Sequence, residues 1–456
     1  MLRGPARVWE MKEGKHMSNP ESAPVSTRRE RIAWYLYDFG NSAYASVVLL
    51  AVFSAYFKEG VVGGARGTFL WGLSVGIAML VVALSSPILG TIADFFGSKK
   101  RFLLAFTVMS CVFTGLLFFA QKGSIVLAMV FFILAEIGYR SAQVFYDALL
   151  PEIARPEEIG RISGIGWAVG SAGGIAALIV ILPLILLIKG TFMVRLTLVI
   201  TAVFYLAFSL PLFLRVRERA QPQKLPAGQS VLTLGFRRLW QTFRAARRFK
   251  EFIKFFFAFL IYNDGVIMML DFAAIIGAVL FGMNQQTLII FFILVQATNV
   301  GGAYAFGRLA DRTSSKSALF ISLGLLVAAV IWLRFCTSLP MYFVIGALAG
   351  VGMAGAQAVS RSIVGAFSPA GQSAEFYGFF AMAGRTSSFI GPTVYGVIAV
   401  ASATWYENKG QAVQAAEQSG QRMAILAIGA FLLVGGLLLL FVKEKKAREA
   451  ARSPGV

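Results

Sequence analysis

Two ionisable side chains of opposite charge stand one helical turn apart inside an apolar stretch of the chain. Glu136 and Arg140 are four residues apart in IVLAMVFFILAEIGYRSAQ, a spacing that lets them pair on one face of a helix. When Glu136 takes a proton, Arg140 could offer a planar pair of N–H donors to a substrate carboxylate. A salt bridge with a purely structural role is the alternative interpretation. Tyr139 and Gln143 extend the polar stripe, and we predict that all four residues contribute to a substrate-binding site.

A second polar group interrupts the first long apolar run. In YDFGNSAYASVV, Asp38, Asn41 and Tyr44 follow one another at intervals of three residues, so they share one side of a helix. A charge at the centre of a bilayer costs about 2.5–3.5 kcal/mol, and such residues therefore usually face a cavity or one another. We predict that all three line the substrate path. The alternative is that Asp38 caps the helix near the inner membrane surface.

The later part of the chain carries a corresponding set of polar residues. The stretch LIYNDG holds Asn263 and Asp264, and Asp271 follows about two helical turns later. We place Asn263 and Asp264 in the substrate site together with Gln357 and Arg385, which lie in later apolar runs. A site for a zwitterion needs both signs of charge, and the arginines and carboxylates of these groups would supply them.

Coupling to protons would require a carboxyl group that gains and loses a proton while apolar side chains surround it. Glu136, Asp264 and Asp271 lie deepest in their runs by residue count, and we predict that the coupling group is among them. Facilitated diffusion without coupling is the alternative. The single histidine, His16, lies in a polar tail, so we expect no histidine relay, no metal site and no cofactor.

The composition indicates a membrane protein. Of 456 residues, 57% are hydrophobic and 14% are charged, and the mean hydropathy of +0.73 implies more apolar surface than a soluble chain could bury. The net charge of +20 would suit a nucleic-acid-binding protein, but the basic residues lie in short stretches between apolar runs. We therefore expect a lipid bilayer and a small-molecule substrate as partners, and no nucleic acid.

The apolar runs divide into twelve candidate spans of about 20 residues or more. They are 33–57, 68–93, 102–120, 124–148, 162–188, 192–214, 253–281, 285–307, 317–337, 340–363, 376–400 and 421–442. Most of the 42 lysines and arginines lie in segments that are cytoplasmic if the N-terminus is inside, as the positive-inside rule requires. We expect a multi-pass protein of a bacterial inner membrane with both termini cytoplasmic, and with Trp34, Trp71 and Trp332 as interface anchors.

The longest polar interval divides the spans into two sets of six. We predict a cytoplasmic tail at 1–32, six-helix bundles at 33–214 and 253–442, a linker at 215–252 and a second cytoplasmic tail at 443–456. Apolar and basic residues recur with helical spacing along VLTLGFRRLWQTFRAARRFKEF, which predicts an amphipathic helix on the anionic inner leaflet. A solvated linker helix is the alternative. We expect the protein to be a monomer.

The two sets of six spans repeat each other in sequence. Tyr37 and Gly40 recur as Tyr262 and Gly265, and three glycines of the fifth span recur at a constant offset in the eleventh. Duplicated halves are typical of secondary transporters. The fold class that follows is an all-α membrane protein, with twelve transmembrane helices in two pseudo-symmetric six-helix bundles.

Similar loops occupy the same place in each half, GTIADFFGSKK after the second span and GRLADRTSSKS after the eighth. We predict that residues of these loops act in gating, together with an arginine near the inner end of the tenth span, for which anchoring is the alternative. The predicted gating residues are Gly90, Asp94, Gly97, Lys99, Lys100, Gly307, Asp311, Arg312, Lys316 and Arg361.

The first of these loops resembles the loop motif of the major facilitator superfamily, Gly-x-Leu-Ala-Asp-Arg-x-Gly-Arg-Lys, although Phe95 replaces the first arginine. More narrowly, WYLYDFGNSAYASVV, FYDALLPEI, LIYNDG and EFYGFFAMAGRTSSFIGP resemble the vacuole effluxer-like branch, over residues 31–442. The resemblance implies the major facilitator fold, alternating access and, from the fungal members, efflux of neutral amino acids. Asp147 stands where this branch is expected to have asparagine, and Arg385 stands where lysine is common.

These observations favour a secondary active or facilitative transporter that moves a small organic solute by alternating access. An amino acid is the preferred substrate, and export of a drug-like or other amphiphilic molecule is the alternative. A channel fits duplicated halves with paired loops less well. An enzyme is not expected, because the chain lacks histidine clusters, paired cysteines and a phosphate-binding loop. A transport-inactive sensor or scaffold would be expected to lack the polar residues of the spans.

Overall fold

The computed structural model describes residues 26–154, 159–188, 190–219, 249–367, 380, 384 and 390–452, which form helices and their connections with no strand among them. We number the long helices in chain order. Those of the first half are α1 (Arg28–Val62), α2 (Gly64–Phe96), α3 (Lys99–Leu116), α4 (Ile125–Ala148), α5 (Ile159–Leu187) and α6 (Thr191–Arg215). Those of the second half are α7 (Lys250–Phe281), α8 (Gln285–Arg312), α9 (Ser315–Phe335), α10 (Leu339–Phe367), α11 (Ile390–Asn408), α12 (Val413–Leu440) and the short α13 (Glu444–Arg452).

The helices agree with the all-α membrane fold predicted from hydropathy. Within the described residues, 11 helices are long and apolar enough to cross a membrane. The remaining predicted span, 376–400, is represented by α11, and most residues before Ile390 in that span lie outside the described part of the chain. The amphipathic helix predicted within 215–252 also falls largely outside it, on 220–248.

Basic residues collect at one end of the helices, which we call the basic end. It carries the starts of α1 and α7, the connections from α2 to α3 and from α8 to α9, and α13. The opposite end, which we call the far end, carries the connections from α1 to α2 and from α11 to α12. The positive-inside rule predicts that the basic end faces the cytoplasm.

The second part of α1 is irregular. The helix is α-helical from Arg28 to Tyr44 and then continues through two π-helical segments, Ala45–Ala51 and Phe57–Val62, separated by one short α-helical segment. π-Helical turns are rare and are frequently found at functional sites. The first of them begins directly after the polar residues of α1, where hydropathy alone predicts one regular span.

The repeated tyrosines of the two halves each bond to hydroxyl groups on other helices of their own half. The Tyr37 hydroxyl forms hydrogen bonds with the hydroxyls of Thr107 and Tyr205 at 2.8 and 2.9 Å, and the Tyr262 hydroxyl bonds to the hydroxyl of Ser360 at 2.6 Å. Both repeated tyrosines are buried. They therefore hold the helices of each half together.

Two repeated glycines bring the first helix of each half close to the last. A Cβ atom on Gly40 would lie 3.0 Å from the carbonyl oxygen of Tyr205 in α6. A Cβ atom on Gly265 would lie 2.9 Å from the side chain of Leu432 in α12. Small residues allow such close approach of helices in membranes, and the equivalent positions match the duplication read from the sequence.

Two of the three tryptophans predicted to be interface anchors are buried instead, so that prediction was wrong for them. The Trp34 ring stacks on Tyr146 with 4.4 Å between ring centroids, and its Nε1 donates to the Tyr146 carbonyl oxygen at 3.2 Å. The Trp71 side chain is completely buried and donates to the backbone carbonyl oxygen of Asp271 at 3.0 Å. Trp332 is 37% exposed, and its role as an anchor stays a prediction.

Candidate substrate and gating sites

The ion pair predicted on α4 is formed. Arg140 Nε donates to Glu136 Oε1 at 2.6 Å, and the Glu136 side chain is completely buried while 19% of the Arg140 side chain is exposed. The i,i+4 spacing on a regular helix is sufficient to bring the two groups together. Because only Nε is used, the two terminal nitrogens of Arg140 have no hydrogen-bond partner among the described residues. They form a fork of donors that fits a carboxylate.

Aromatic and amide groups surround this pair. Tyr44 of α1 stacks on Tyr139 with 4.5 Å between ring centroids, Gln143 Nε2 donates to the Tyr139 hydroxyl at 3.0 Å, and the Arg140 guanidinium lies 5.3 Å from the centroid of the Tyr139 ring. The Tyr44 hydroxyl interacts with Glu136. Neither that hydroxyl nor Glu136 Oε2 has a hydrogen bond of standard geometry within the described part of the chain. The structure therefore brings five of the predicted site residues into one cluster.

Helix α7 contributes two carboxyl groups from the second half. Asp264 and Asp271 are each 2% exposed, and Asp264 Oδ1 and Asp271 Oδ2 have no hydrogen-bond partner among the described residues. Asp271 interacts electrostatically with Arg140 and Glu136 across the two halves. Asp264 interacts with Asp271 and with the backbone N–H of Gly391. Buried polar groups are normally hydrogen-bonded, so these two carboxyl groups differ from ordinary buried polar side chains.

The two amides predicted for the second half form a separate pair. Gln357 Nε2 donates to Asn263 Oδ1 at 3.4 Å, and Asn263 Nδ2 donates to the carbonyl oxygen of Gly384 at 3.3 Å. These bonds connect α7 to α10 and to the chain that precedes α11. Arg385, the other residue predicted for this half of the site, lies outside the described residues.

The polar residues of α1 have different surroundings. Asn41 is 1% exposed, and its Nδ2 atom has no hydrogen-bond partner in the described structure. Asp38 is half-buried and interacts electrostatically with Asp147 and Arg361, both of which are exposed. The charged neighbours of Asp38 thus lie at the basic end. This position agrees with the alternative interpretation, in which Asp38 caps its helix near the inner membrane surface.

At the basic end, the segment after α6 is fastened to the connection between α2 and α3. Glu218 accepts a hydrogen bond from the backbone N–H of Lys99 at 2.5 Å, and Lys100 Nζ donates to the carbonyl oxygen of Val216 at 2.7 Å. Partial burial raises the pKa of the Glu218 carboxyl group. Lys99 Nζ also pairs with Glu152 at 2.9 Å. Both of the gating lysines predicted in the first half therefore bind partners within that half.

The second half repeats this arrangement. Glu444 accepts a hydrogen bond from the backbone N–H of Lys316 at 3.0 Å, and Lys316 Nζ donates to the carbonyl oxygen of Val442 at 2.7 Å. In both halves a glutamate meets the first turn of the third helix, where the helix dipole favours a negative charge. We call the two arrangements the basic-end clasps. In the sequence, the clasps correspond to two similar tripeptides, Val-Arg-Glu at 216–218 and Val-Lys-Glu at 442–444, whose repetition was not recognised from the sequence alone.

Replacing Glu444 with alanine is expected to lower the free energy of unfolding by about 1 kcal/mol, the usual effect of losing a helix cap. The loss should appear as a lower melting temperature of the purified protein in detergent. Glu449→Ala is the matched control, because Glu449 lies on the same helix and is exposed. Equal melting temperatures for the two variants would contradict a stabilising role of this clasp.

The other predicted gating residues have few described contacts. Gly97 ends α2 with a φ of 54°, in the left-handed region that favours glycine. Gly307 has open space where a Cβ atom would lie, and Arg312 is exposed at the end of α8. The structure describes only the helical backbone at three of the predicted positions, Gly90, Asp94 and Asp311. Their gating roles stay predictions.

A buried ion pair that the sequence analysis missed joins the two halves at the far end. Lys58 Nζ of α1 lies 2.6 Å from Glu417 Oε1 of α12, and the two side chains are 6% and 11% exposed. One turn later on α12, Gln421 Nε2 donates to Thr68 Oγ1 at 2.7 Å, and Gln421 Oε1 accepts from the Tyr395 hydroxyl at 2.8 Å. These contacts join α1 and α2 to α11 and α12 at the far end, and we call them the far-end junction.

Comparison with known proteins relates this geometry to a family of carriers. Residues 70–452 match the family described as vacuole effluxer Atg22 like. The chain is 28% identical over 437 residues to the uncharacterized MFS-type transporter YxiO of Bacillus subtilis (strain 168), which covers 93% of this chain and 97% of the relative. It is 24% identical over 408 residues to autophagy-related protein 22 of Coccidioides immitis (strain RS), with 72% and 67% of the two chains covered.

Solved structures of transporters share the fold. A bacterial homolog to the human lysosomal transporter Spinster, in an inward-facing and unoccupied conformation, gives a TM-score of 0.70 at 14% identity and covers 94% of this chain and 99% of that chain. The nucleoside transporter NupG gives a TM-score of 0.65 at 15% identity, with 91% and 99% covered. With the family match over most of its length, the chain belongs to the vacuole effluxer Atg22-like family and is a multi-pass membrane transporter of the major facilitator type.

Proposed function

We propose that the protein is a carrier of neutral amino acids that works by alternating access. The observation that supports this most directly is the open guanidinium fork of Arg140. Its Nε atom is held by Glu136 at 2.6 Å, which orients the group, while the two terminal nitrogens have no partner among the described residues. A fork of this kind binds both oxygens of an α-carboxylate with defined geometry.

An acidic group of the other half would complete a site for a zwitterion. The ammonium group of an amino acid needs an anionic acceptor, and Asp264 offers a buried oxygen atom without a partner in the described structure. Asp264 lies on α7, whereas Arg140 lies on α4. A substrate held by both residues would contact both halves, and its release would follow their relative movement, as alternating access requires.

We assign the basic end to the cytoplasm on the positive-inside rule. The far-end junction would then close the outer side of the carrier, while Asp147 and Arg361 are exposed at the cytoplasmic side. Both termini would be cytoplasmic, the membrane would be a bacterial inner membrane, and one chain would contain the complete path. The family's description as an effluxer supports solute transport, and the net direction in a cell would follow the gradients.

Counterflow in liposomes tests this function. Purified protein is reconstituted into liposomes that are loaded with one neutral amino acid at a time, and each sample is then diluted into a trace of the same labelled amino acid. We expect transient accumulation of the label for at least one member of the panel, and none in liposomes without protein. Counterflow needs no imposed ion gradient, so it detects coupled and uncoupled carriers alike.

The same preparation distinguishes the drug-like alternative. A site for cationic amphiphiles needs carboxylates and aromatic rings. A guanidinium group would not contribute to it, because it carries the same charge as the substrate. If no amino acid exchanges while a labelled amphiphilic cation does, the amino-acid proposal is wrong and the exporter of amphiphiles takes its place.

A further inference from the structure

Arg140 interacts with two buried carboxyl groups of opposite halves. It pairs with Glu136 on its own helix at 2.6 Å and interacts electrostatically with Asp271 of α7 without forming an ion pair. Glu136 is 0% and Asp271 is 2% exposed. One guanidinium cannot balance two buried carboxylates, and an uncompensated buried charge is strongly unfavourable. While both carboxyl groups are shielded from water, one of them therefore needs a proton, and access of water to Asp271 on an open side allows this group to ionise.

The geometry points to Asp271 as the group that takes this proton. Glu136 Oε1 is at ion-pair distance from Arg140, so Glu136 is the ionised partner, whereas Asp271 Oδ2 has no hydrogen-bond partner within the described residues. We propose that Asp271 binds the transported proton, and that the proton and the substrate bind together and cross the membrane in the same direction. This inference rests on the proposed function and assigns one of three candidate carboxyl groups.

Competition for the Arg140 fork provides the coupling. An ionised Asp271 and a substrate carboxylate are both attracted to the same terminal nitrogens, so each weakens the binding of the other. When Asp271 accepts a proton from water on the open side, its attraction for Arg140 falls and the fork is left for the substrate. The proton leaves Asp271 again on the other side, and no bond of the substrate is made or broken. By linkage, substrate binding then favours protonation of Asp271 to the same extent.

The other neighbours of Asp271 are consistent with a neutral side chain. From α2, the Trp71 indole donates to the backbone carbonyl oxygen of Asp271, and Asp271 Oδ2 has no hydrogen-bond partner in the described part of the chain. The next residue on α7, Phe272, stacks on Tyr395 of α11 with 4.0 Å between ring centroids, so this contact brings an aromatic ring beside the same turn of α7. On α7, Asp264 interacts with Asp271 as a like charge and disfavours a second negative charge there. Within the described residues, the charged groups that act on Asp271 are Asp264, Glu136 and Arg140.

Asp271→Asn tests the proposal, because asparagine keeps the shape of the side chain and imitates the neutral acid. In liposomes with an acidic exterior, the wild-type protein should accumulate the amino acid above its external concentration. The variant should keep counterflow but should only equilibrate the amino acid. Its affinity, measured by thermal stabilisation with added substrate, should not change with pH, whereas wild-type affinity should fall by up to about tenfold per pH unit once Asp271 is ionised.

Two further variants keep the result interpretable. Asp147→Asn removes an exposed carboxylate of α4 at the basic end and should retain gradient-driven accumulation. Asp271→Glu keeps a titratable group at this position and should also retain gradient-driven accumulation. Accumulation of the amino acid by the wild-type protein in liposomes with an acidic interior would overturn the proposal. Accumulation by Asp271→Asn in liposomes with an acidic exterior would overturn it as well. Loss of counterflow in Asp271→Asn while Asp271→Glu still exchanges would be the third contradicting result. A wild-type protein that exchanges no amino acid would refute the proposed function instead.

Discussion

Replacing Arg140 with alanine is expected to reduce amino-acid counterflow to about 1% of the wild-type rate or less. The substitution removes both donors of the fork and leaves Glu136 buried without its ion-pair partner. Loss of one partner of a buried ion pair costs about 3–5 kcal/mol, and each 1.4 kcal/mol is about tenfold in binding. The initial rate of label uptake, normalised to the amount of reconstituted protein, measures the effect.

Three controls separate binding from folding. Arg140→Lys keeps a positive charge but loses the planar fork, so its rate should lie between those of the wild type and the alanine variant. Arg140→Ala combined with Glu136→Gln removes the unpaired carboxylate and should recover thermal stability without recovering transport. Arg308→Ala truncates an exposed arginine of α8 and should leave transport unchanged. Transport of a zwitterion retained by Arg140→Ala would remove Arg140 from the site, whereas transport of amphiphilic cations alone would favour the exporter.

The fold was predictable because its main determinants are local in sequence. Each span is a separate apolar run, and the repeated tyrosines and glycines reveal the duplication before any contact is known. The pair of Glu136 and Arg140 was predictable for the same reason, since helix geometry alone fixes residues four apart on one face. The structure adds the engagement of Nε, which leaves the terminal nitrogens of Arg140 open.

Contacts between distant segments could not be predicted in this way. Lys58 and Glu417 come from opposite ends of the chain, and each alone looks like an ordinary charge at the edge of an apolar run. Trp34 and Trp71 failed as anchors because hydropathy cannot distinguish a ring that faces lipid from one enclosed between helices. Glu218 also belonged to a polar linker by composition, and only folding brings it to the start of α3.

Removing one partner of the far-end ion pair is expected to open that end of the protein. In Lys58→Ala, Glu417 would be left as a nearly buried charge without its partner, and opening would return it to water. Up to about 3–5 kcal/mol of the closed state's stability would be lost, enough to change the ratio of closed to open molecules by about a hundredfold or more. Spin labels at Arg66→Cys and Lys409→Cys, two exposed positions of opposite halves near the far end, should report a longer distance.

The native cysteines, Cys111 and Cys336, are buried and can be replaced with serine in the labelled background. The charge-reversed protein, Lys58→Glu with Glu417→Lys, should recover the short distance, because attraction between the two positions is restored. Lys58→Met with Glu417→Leu should also stay closed, since removing both charges together leaves neither of them unpaired in a dry contact. If the single variant gives the same distance distribution and the same counterflow rate as the wild type, the ion pair does not hold the far end closed. A longer distance in Lys58→Ala together with the short wild-type distance in both double variants would show that the unpaired charge of Glu417 drives the opening. Loss of the Lys58 side chain could not be the cause, because all three variants lack it.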